Sequence, residues 1–383
     1  MRQTGSDAVD TDDCEIYKSE HVESTITVRY EVSIPRHMNS QDTKGVSQLP
    51  VITNGWEGSV GDRPIATENS LEHSRTPPIP MPAGLEPLKH QLAGHRFCEE
   101  GNKELYGILD CKDGTILKPV ILDSRKGQRE RYFYALLADD SSHSPYFNFD
   151  VCDFELLRQL KKFTAVYKGL VSLPEHPEVV IYIKMVDVCS TFTRPHIIDV
   201  KIGAKCWEPA ASPEKIKRQK QRCPHLDEIC FQVLGAKYYD AQTGEAVVRR
   251  DLRKCTPHDL LHKGLHAIFN ILPPNAKESI TQFIMDDLQE IARWFGSQSI
   301  LSFHGSSVLI VFEGDKATLD SNVETNHNRH PSLLKVKMID FAHVFQTRAS
   351  DDNYLEGLNS LISYFQSLSH IFRSTSPVTD KAS

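Results

Sequence analysis

The sequence predicts an α+β fold in two lobes with a cleft between them, and three observations carry that expectation. A Lys112–Gly114 turn inside the run from Leu105 to Leu122 separates two strand-like patterns, as in a β-hairpin. Three apolar stretches carry charges where burial is expected: Lys118 in TILKPVIL, Asp199 and Lys201 in HIIDVKIG, and Asp340 after VKMI. Two amphipathic patterns, 277–295 and 354–372, have the length and spacing of helices. Strands are expected to dominate the first half of the folded region and helices the second.

Taken in order, residues 1–87 read as a largely disordered extension. One strand-like stretch, Thr25 to Ile34, interrupts polar, Gly-rich and Ser-rich sequence. Five prolines between Pro77 and Pro87 oppose helix and central strand, so a linker is expected there and the fold is expected to begin at Leu88. After the hairpin, QRERYFYALLAD (128–139) reads as a helix, as do residues 150–163 with Phe154, Leu157 and Leu160 on one side. Val179 to Val188 and Ile197 to Ile202 read as strands. Ser212 and Pro213 supply an N-cap and first helical residue for a helix over 212–222. Phe231 to Tyr239 and Ala246 to Arg249 pair around DAQTG, and Pro257 to Leu272 is helical. Ser307 to Phe312 and Leu334 to Ile339 are strands joined by a polar loop of about 20 residues.

Composition narrows the classes. The 383 residues hold 44 Lys and Arg against 51 Asp and Glu, a net charge of −7, which gives no general reason to expect nucleic acid binding. No apolar run approaches the roughly 18 residues of a membrane helix. The acidic start, MRQTGSDAVDTDD, lacks an apolar core, so no secretory signal is expected. Nine cysteines without a CxxC pair fit reduced intracellular thiols. Cys223, His225 and Cys230 come nearest to a zinc-ligand set, and ordinary packing is the expectation for them.

The interrupting charges suit phosphoryl transfer from a nucleotide. That chemistry needs a strand lysine for the phosphates, a carboxylate for magnesium and a second carboxylate to orient the accepting hydroxyl. Glu130, on the helix after the Lys118 strand, can pair with that lysine. Asp199 and Lys201, two apart in an extended segment, share a face. No GxxxxGK[ST] and no HRD motif is present. The run KIKRQKQR, Lys215 to Arg222, puts five positive charges in eight residues, a density suited to a polyanion with several phosphates. A solvated surface helix or a nuclear localisation patch would use the same residues.

The segment PHIIDVKIGAKCWEPAASPEKIKRQ, Pro195 to Gln219, resembles the PxxxDxKxG signature of the inositol polyphosphate kinases, most closely their multikinase branch. HQLAGH (His90–His95), GTILKP (Gly114–Pro119), RERYFY (Arg129–Tyr134), SSVLIVFEG (Ser306–Gly314), KMIDFAH (Lys337–His343) and DNYLEGLNSLI (Asp352–Ile362) are similar to that family in the same order. The resemblance implies a two-lobed kinase-like fold: a nucleotide-binding lobe at 88–188, a catalytic lobe at 189–373 with an inositol phosphate-binding insertion at 206–225, and a tail at 374–383. It implies that Lys118 and Glu130 serve the ATP phosphates and that Asp187 meets the ribose. Val188, Ser307 and Leu309 would line the nucleotide pocket, with Ser306 beside them. Asp199 would orient the hydroxyl, Lys201 would be the catalytic lysine, and Asp340 would bind Mg2+. Lys215, Arg222 and His343 would contact the inositol phosphate. Val186 stands where the family usually has a glutamate whose backbone meets adenine, so altered nucleotide affinity is expected.

By resemblance the activity would be ATP- and Mg2+-dependent conversion of inositol 1,4,5-trisphosphate to tetrakisphosphate and pentakisphosphate at the 6- and 3-hydroxyls. Soluble inositol phosphates are the expected partners, with phosphoinositide head groups at a membrane surface as a second substrate class and no nucleic acid. A monomer in nucleus and cytoplasm is expected. The alternatives are a narrower trisphosphate 3-kinase, a hexakisphosphate kinase, or a scaffold that has lost catalysis.

Overall fold

The computed structural model describes residues 80–94, 96–97, 106–139, 144–176, 180–323 and 333–375. The strand-like stretch Thr25 to Ile34 lies outside the described residues. The first lobe is built on β1 (Glu86–Pro87), β2 (Leu109–Asp110), β3 (Thr115–Ile121), α1 (Arg125–Leu137), α2 (Asp153–Lys161), β4 (Tyr167–Val171) and β5 (Val180–Val186). Its strands run in the order β1-β2-β3-β5-β4, every neighbour antiparallel. Ser124 caps α1 by accepting a hydrogen bond from the Gly127 N–H.

The second lobe begins with β6 (Pro195–Ile202), α3 (Pro213–Arg222), α4 (Leu226–Ile229), β7 (Phe231–Tyr239) and β8 (Ala246–Arg249). A helical stretch follows: α5 (Pro257–Asp259), a π-helical turn (Leu260–Leu265), α6 (His266–Phe269) and the long α7 (Pro274–Ser297). Then come β9 (Leu301–Phe303), β10 (Ser307–Glu313), α8 (Lys316–Val323), β11 (Leu334–Ile339), β12 (Val344–Gln346) and α9 (Asp352–Thr375). The second sheet has the order β11-β10-β6-β7-β8, again antiparallel, and β9 pairs with β12. Helices α7 and α9 share a buried face where the Phe295 and Tyr354 rings stack 4.3 Å apart. The Met338 N–H donates to the Phe163 carbonyl at 2.8 Å, tying β11 to the segment that leads into β4.

The hairpin, the helix at 212–222 and the strand pair around DAQTG stand where the sequence puts them. Four expectations change. The folded body reaches upstream of Leu88: Pro82 is buried, the Pro80 carbonyl lies 3.0 Å from His176 Nε2, and Pro87 sits in an edge strand, where a missing N–H costs nothing. Strand β4 (YKGLV) has no clear signal in the sequence because Gly169 has no side chain and the apolar Leu170 is exposed, so residue types do not alternate although burial does. The polar loop after β10 contains α8. Helices dominate beyond residue 230 as expected, but strands do not dominate before it, since α1, α2, α3 and α4 together hold more residues than β2 to β6.

Candidate active site

Three charges far apart in the chain meet at one point. Lys118 Nζ lies 2.6 Å from Glu130 Oε1 and 2.5 Å from Asp340 Oδ1. Strand β3 supplies the lysine, α1 the glutamate, and the turn after β11 the aspartate. Glu130 Oε1 also accepts the Phe341 N–H at 3.0 Å, so one buried carboxylate fixes both the ammonium and the turn carrying Asp340. Asp340 has φ +66°, a left-handed conformation that aspartate tolerates better than most residues. Burial opposes the charge on Lys118, but Asp340 and Glu130 hold its pKa well above the ordinary lysine value. Burial likewise opposes ionisation of Asp340, and the adjacent ammonium overcomes it and keeps the carboxyl below its usual range.

Asp199 sits in the middle of β6, opposite Leu309 of β10, with a bulge on its β7 side. Only 4% of the residue is exposed, and Oδ1 has no hydrogen-bond partner. Burial first, then the negative charge of Asp340, push its pKa up to about 7, against the lowering pull of the Ser307 hydroxyl, Lys201 and Lys118. Lys201 makes no ion pair among the described residues, and its charge reaches both Asp199 and Asp340. The signature ends at Gly203 for a steric reason. Its φ is +94°, and a Cβ there would come within 2.3 Å of Asn353 Nδ2. The Asn353 amide oxygen in turn accepts the Lys205 N–H at 2.8 Å, fixing the exit from β6.

These groups open onto a cleft of about 360 Å³, lined by Lys118, Asp187, Val188, Asp199, Leu309 and Asp340 among others. The segment between the lobes is pinned by its own hydrogen bonds. The Val186 N–H donates to the Val166 carbonyl, and the Asp187 N–H to the Gly114 carbonyl, both at 2.9 Å. Lys335 Nζ donates to the Val188 carbonyl at 3.2 Å. The Val188 N–H has no partner among the described residues, which leaves a backbone donor for a ligand. Ser307 is fully buried, its hydroxyl acts on Asp199, and it does not line the cleft, while Leu309 of the same strand does.

A second cluster gathers on Glu208, in the segment between β6 and α3. Glu208 Oε1 lies 3.4 Å from Lys215 Nζ, 3.5 Å from Lys126 Nζ and 3.6 Å from His343 Nδ1. It thereby joins α1, α3 and the segment after Asp340. Burial lowers the His343 pKa to about 4, and neighbouring Lys126, Lys215 and Arg129 add to that while Glu208 opposes it. Arg129 donates to the Ala342 carbonyl at 3.0 Å and lies over the Phe345 ring. Arg222, at the end of α3, is exposed and makes no ion pair among the described residues, so Lys215 is held in the cluster and Arg222 is not. Helix α3 has no buried residue. Cys223, His225 and Cys230 do not converge as metal ligands.

Sequence reasoning missed Glu208, Lys126 and Lys335. Glu208 had a signal, an acid between the signature and the basic run. Lys335 had none, because nothing local says that its ammonium reaches a carbonyl 147 residues away.

Fold and site together define a two-lobed, kinase-like α+β protein with a charged interlobe cleft. Residues 182–366 match the family model described as inositol polyphosphate kinase. The inositol polyphosphate multikinase of Rattus norvegicus is 36% identical over 258 residues, 65% of this chain and 60% of the relative. The chain thus spans about 60% of that relative's length. The multikinase beta of Arabidopsis thaliana is 26% identical, covering 73% of this chain and 92% of the relative. The crystal structure of the S. cerevisiae inositol phosphate multikinase, in complex with ADP and Mn2+, shares the fold at TM-score 0.51 and 20% identity, covering 66% of this chain and 98% of that one.

Proposed function

We propose that this chain transfers the γ-phosphoryl group of ATP to a hydroxyl of an inositol phosphate. The observation that carries the reading is the convergence of Lys118, Glu130 and Asp340 beside the buried Asp199 on one cleft. Lys118 is held charged to meet the nucleotide phosphates. The free Val188 N–H and the Asp187 carboxylate serve the adenine and ribose. Asp199, with a pKa near the working range, accepts the proton of the attacking hydroxyl as its oxygen bonds to the γ-phosphorus and the bond to the ADP oxygen breaks. Lys201 meets the charge on the moving phosphoryl group. The donor set fits a magnesium ion: Asp340 has a 42% exposed side chain on the cleft, and beside it the buried Asp199 has its pKa raised by burial and by the charge of Asp340. Asp340 would hold that ion, which when bound neutralises charge on the phosphates.

On the acceptor side, Lys215 and His343 meet phosphates of the inositol ring, joined by Lys126, with Arg222 adding charge from the open end of α3. The acceptor we favour is inositol 1,4,5-trisphosphate, carried through tetrakisphosphate to pentakisphosphate at the 6- and 3-hydroxyls. The multikinase relatives support this over a single-position 3-kinase or a hexakisphosphate kinase. A site bordered by an exposed helix also suits a phosphoinositide head group. Lys217, Arg218 and Lys220 are exposed and suit nuclear import, so we place the protein in nucleus and cytoplasm. The test is incubation with γ-labelled ATP, Mg2+ and a panel of inositol phosphates, with products separated by chromatography. Label in tetrakis- and pentakisphosphate is expected. Protein that binds nucleotide yet labels no inositol phosphate would reject the reading in favour of a scaffold.

A further inference from the structure

We infer a second metal site, for a borderline-soft divalent cation of the zinc class, at the hinge edge of the cleft. His90 Nε2, a carboxylate oxygen of Asp187 and Cys189 Sγ lie within 4.8 Å of one another, the one such convergence of three His, Cys, Asp or Glu ligand atoms among the described residues. The His90–Asp187 separation is 3.3 Å to Oδ2 and 3.4 Å to Oδ1. That is long for a charge-assisted hydrogen bond, which runs about 2.7–2.9 Å. It matches the edge of a tetrahedron with metal–ligand bonds of about 2.0–2.1 Å, which is roughly 3.3 Å. The carboxylate is already oriented: Oδ1 accepts the Cys189 N–H at 2.9 Å, leaving Oδ2 for an ion.

The donor chemistry selects the cation. A thiolate, an imidazole and one carboxylate suit zinc, whereas magnesium prefers oxygen ligands alone. A thiolate and a carboxylate balance the charge of a divalent ion. Burial first, then the charge of Asp187 and a hydrogen bond to it, raise the Cys189 pKa, and a bound zinc ion deprotonates a coordinating thiol outright. Lys237 and Lys335 stand close enough to favour the thiolate, and their positive charge limits affinity for the ion. All three ligands line the cleft, so three protein ligands leave a coordination position facing the space where a nucleotide would sit.

The consequence rests on the nucleotide reading of the cleft. Asp187 cannot serve both a ribose and a zinc ion, so zinc and nucleotide compete. The test starts from full-length protein stripped with chelator and titrated with Cd2+, followed by the cadmium–thiolate ultraviolet band. Zn2+ is then used against a fluorescent ADP analogue. The expected result is a tight step in the wild type that weakens at least about tenfold in both Cys189→Ser and His90→Ala, with circular dichroism showing both variants folded. Saturating Zn2+ lowers analogue affinity at least about tenfold in the wild type and leaves it within about twofold in Cys189→Ser. Equal cadmium titrations in wild type and variants would overturn the site. A thiolate band with nucleotide affinity unmoved by Zn2+ would overturn the competition. Failure of the metal-free protein to bind the analogue would count against the nucleotide reading alone, because the cadmium titration is read without nucleotide.

Discussion

The two charged clusters on either side of Asp340 are built in opposite ways. Around Lys118, one ammonium is matched by two carboxylates at 2.5 and 2.6 Å, Glu130 and Asp199 are buried, and the geometry is fixed before any ligand arrives. Around α3, five cations stand on a helix with no buried residue, and one carboxylate, Glu208, gathers three cationic or titratable groups at 3.4–3.6 Å. The first arrangement suits a group whose position must be correct to a fraction of an ångström. The second suits an acceptor that brings its own charge and comes in several phosphorylation states. A preorganised cluster should fail all at once when one member is lost, and a loose one should fail by degrees.

The sharpest break is on the preorganised side. Asp340→Asn leaves Lys118 with one partner and removes the cation ligand, so transfer should fall on the order of a thousandfold, read as kcat with saturating substrates. A loss of less than about tenfold would move the metal site elsewhere. Replacing Lys215 and Arg222 together by Ala should raise the KM for inositol phosphate by roughly 10–100-fold while the KM for ATP holds. Within that pair, Lys215→Ala should cost more than Arg222→Ala, since only Lys215 is held against Glu208. The Arg222 contribution should also fade faster with salt. Equal, salt-independent effects would erase the contrast between the two ends of α3.

Asp199 gives a smaller effect with a definite sign. Its folded pKa, about 7, lies above the ordinary value of 3.8, so its contribution to stability is fully present below the unfolded pKa and is lost as pH rises through the folded one. Asp199→Asn removes that loss. The variant's advantage over the wild type should be small near pH 4 and grow up to pH 8, to an amount on the order of a few kcal/mol at most. Over the same range wild-type kcat/KM should rise with pH through about 7 as Asp199 becomes able to take a proton. A melting difference that does not widen between those pH values would mean that Asp199 is not a buried acid waiting for a proton. The smallest expected effect is at Lys335. Lys335→Met removes the ammonium from the Val188 carbonyl and should raise the KM for ATP about two- to fivefold without changing kcat.

The contrast between the clusters also governed what could be read in advance. Lys118, Asp199 and Asp340 were legible because a charge inside an apolar strand contradicts its surroundings, and such a contradiction survives without any knowledge of the fold. Glu130 followed from the helix after the Lys118 strand. The α3 helix was legible from Ser212, Pro213 and its charge density. The partners that arrange these groups were not legible. Lys335 and Lys126 sit among ordinary surface lysines and gain meaning only when the chain folds back on itself. Strand β4 was hidden by Gly169, and β1 by the prolines around it, because both depart from the alternation that announces a strand. Ser307 is buried at the end of β10 opposite Lys201 of β6, a placement that only the sheet register reveals.

The measurement that bears most directly on the central claim is an anomalous difference map from crystals grown with ADP and Mn2+. The account predicts manganese on the Asp340 carboxylate, the β-phosphate within reach of Lys118 Nζ, and Asp199 facing the open side where an acceptor would lie. Manganese and phosphates bound away from Asp340 and Lys118, with those two still paired to each other as at 2.5 Å here, would contradict it.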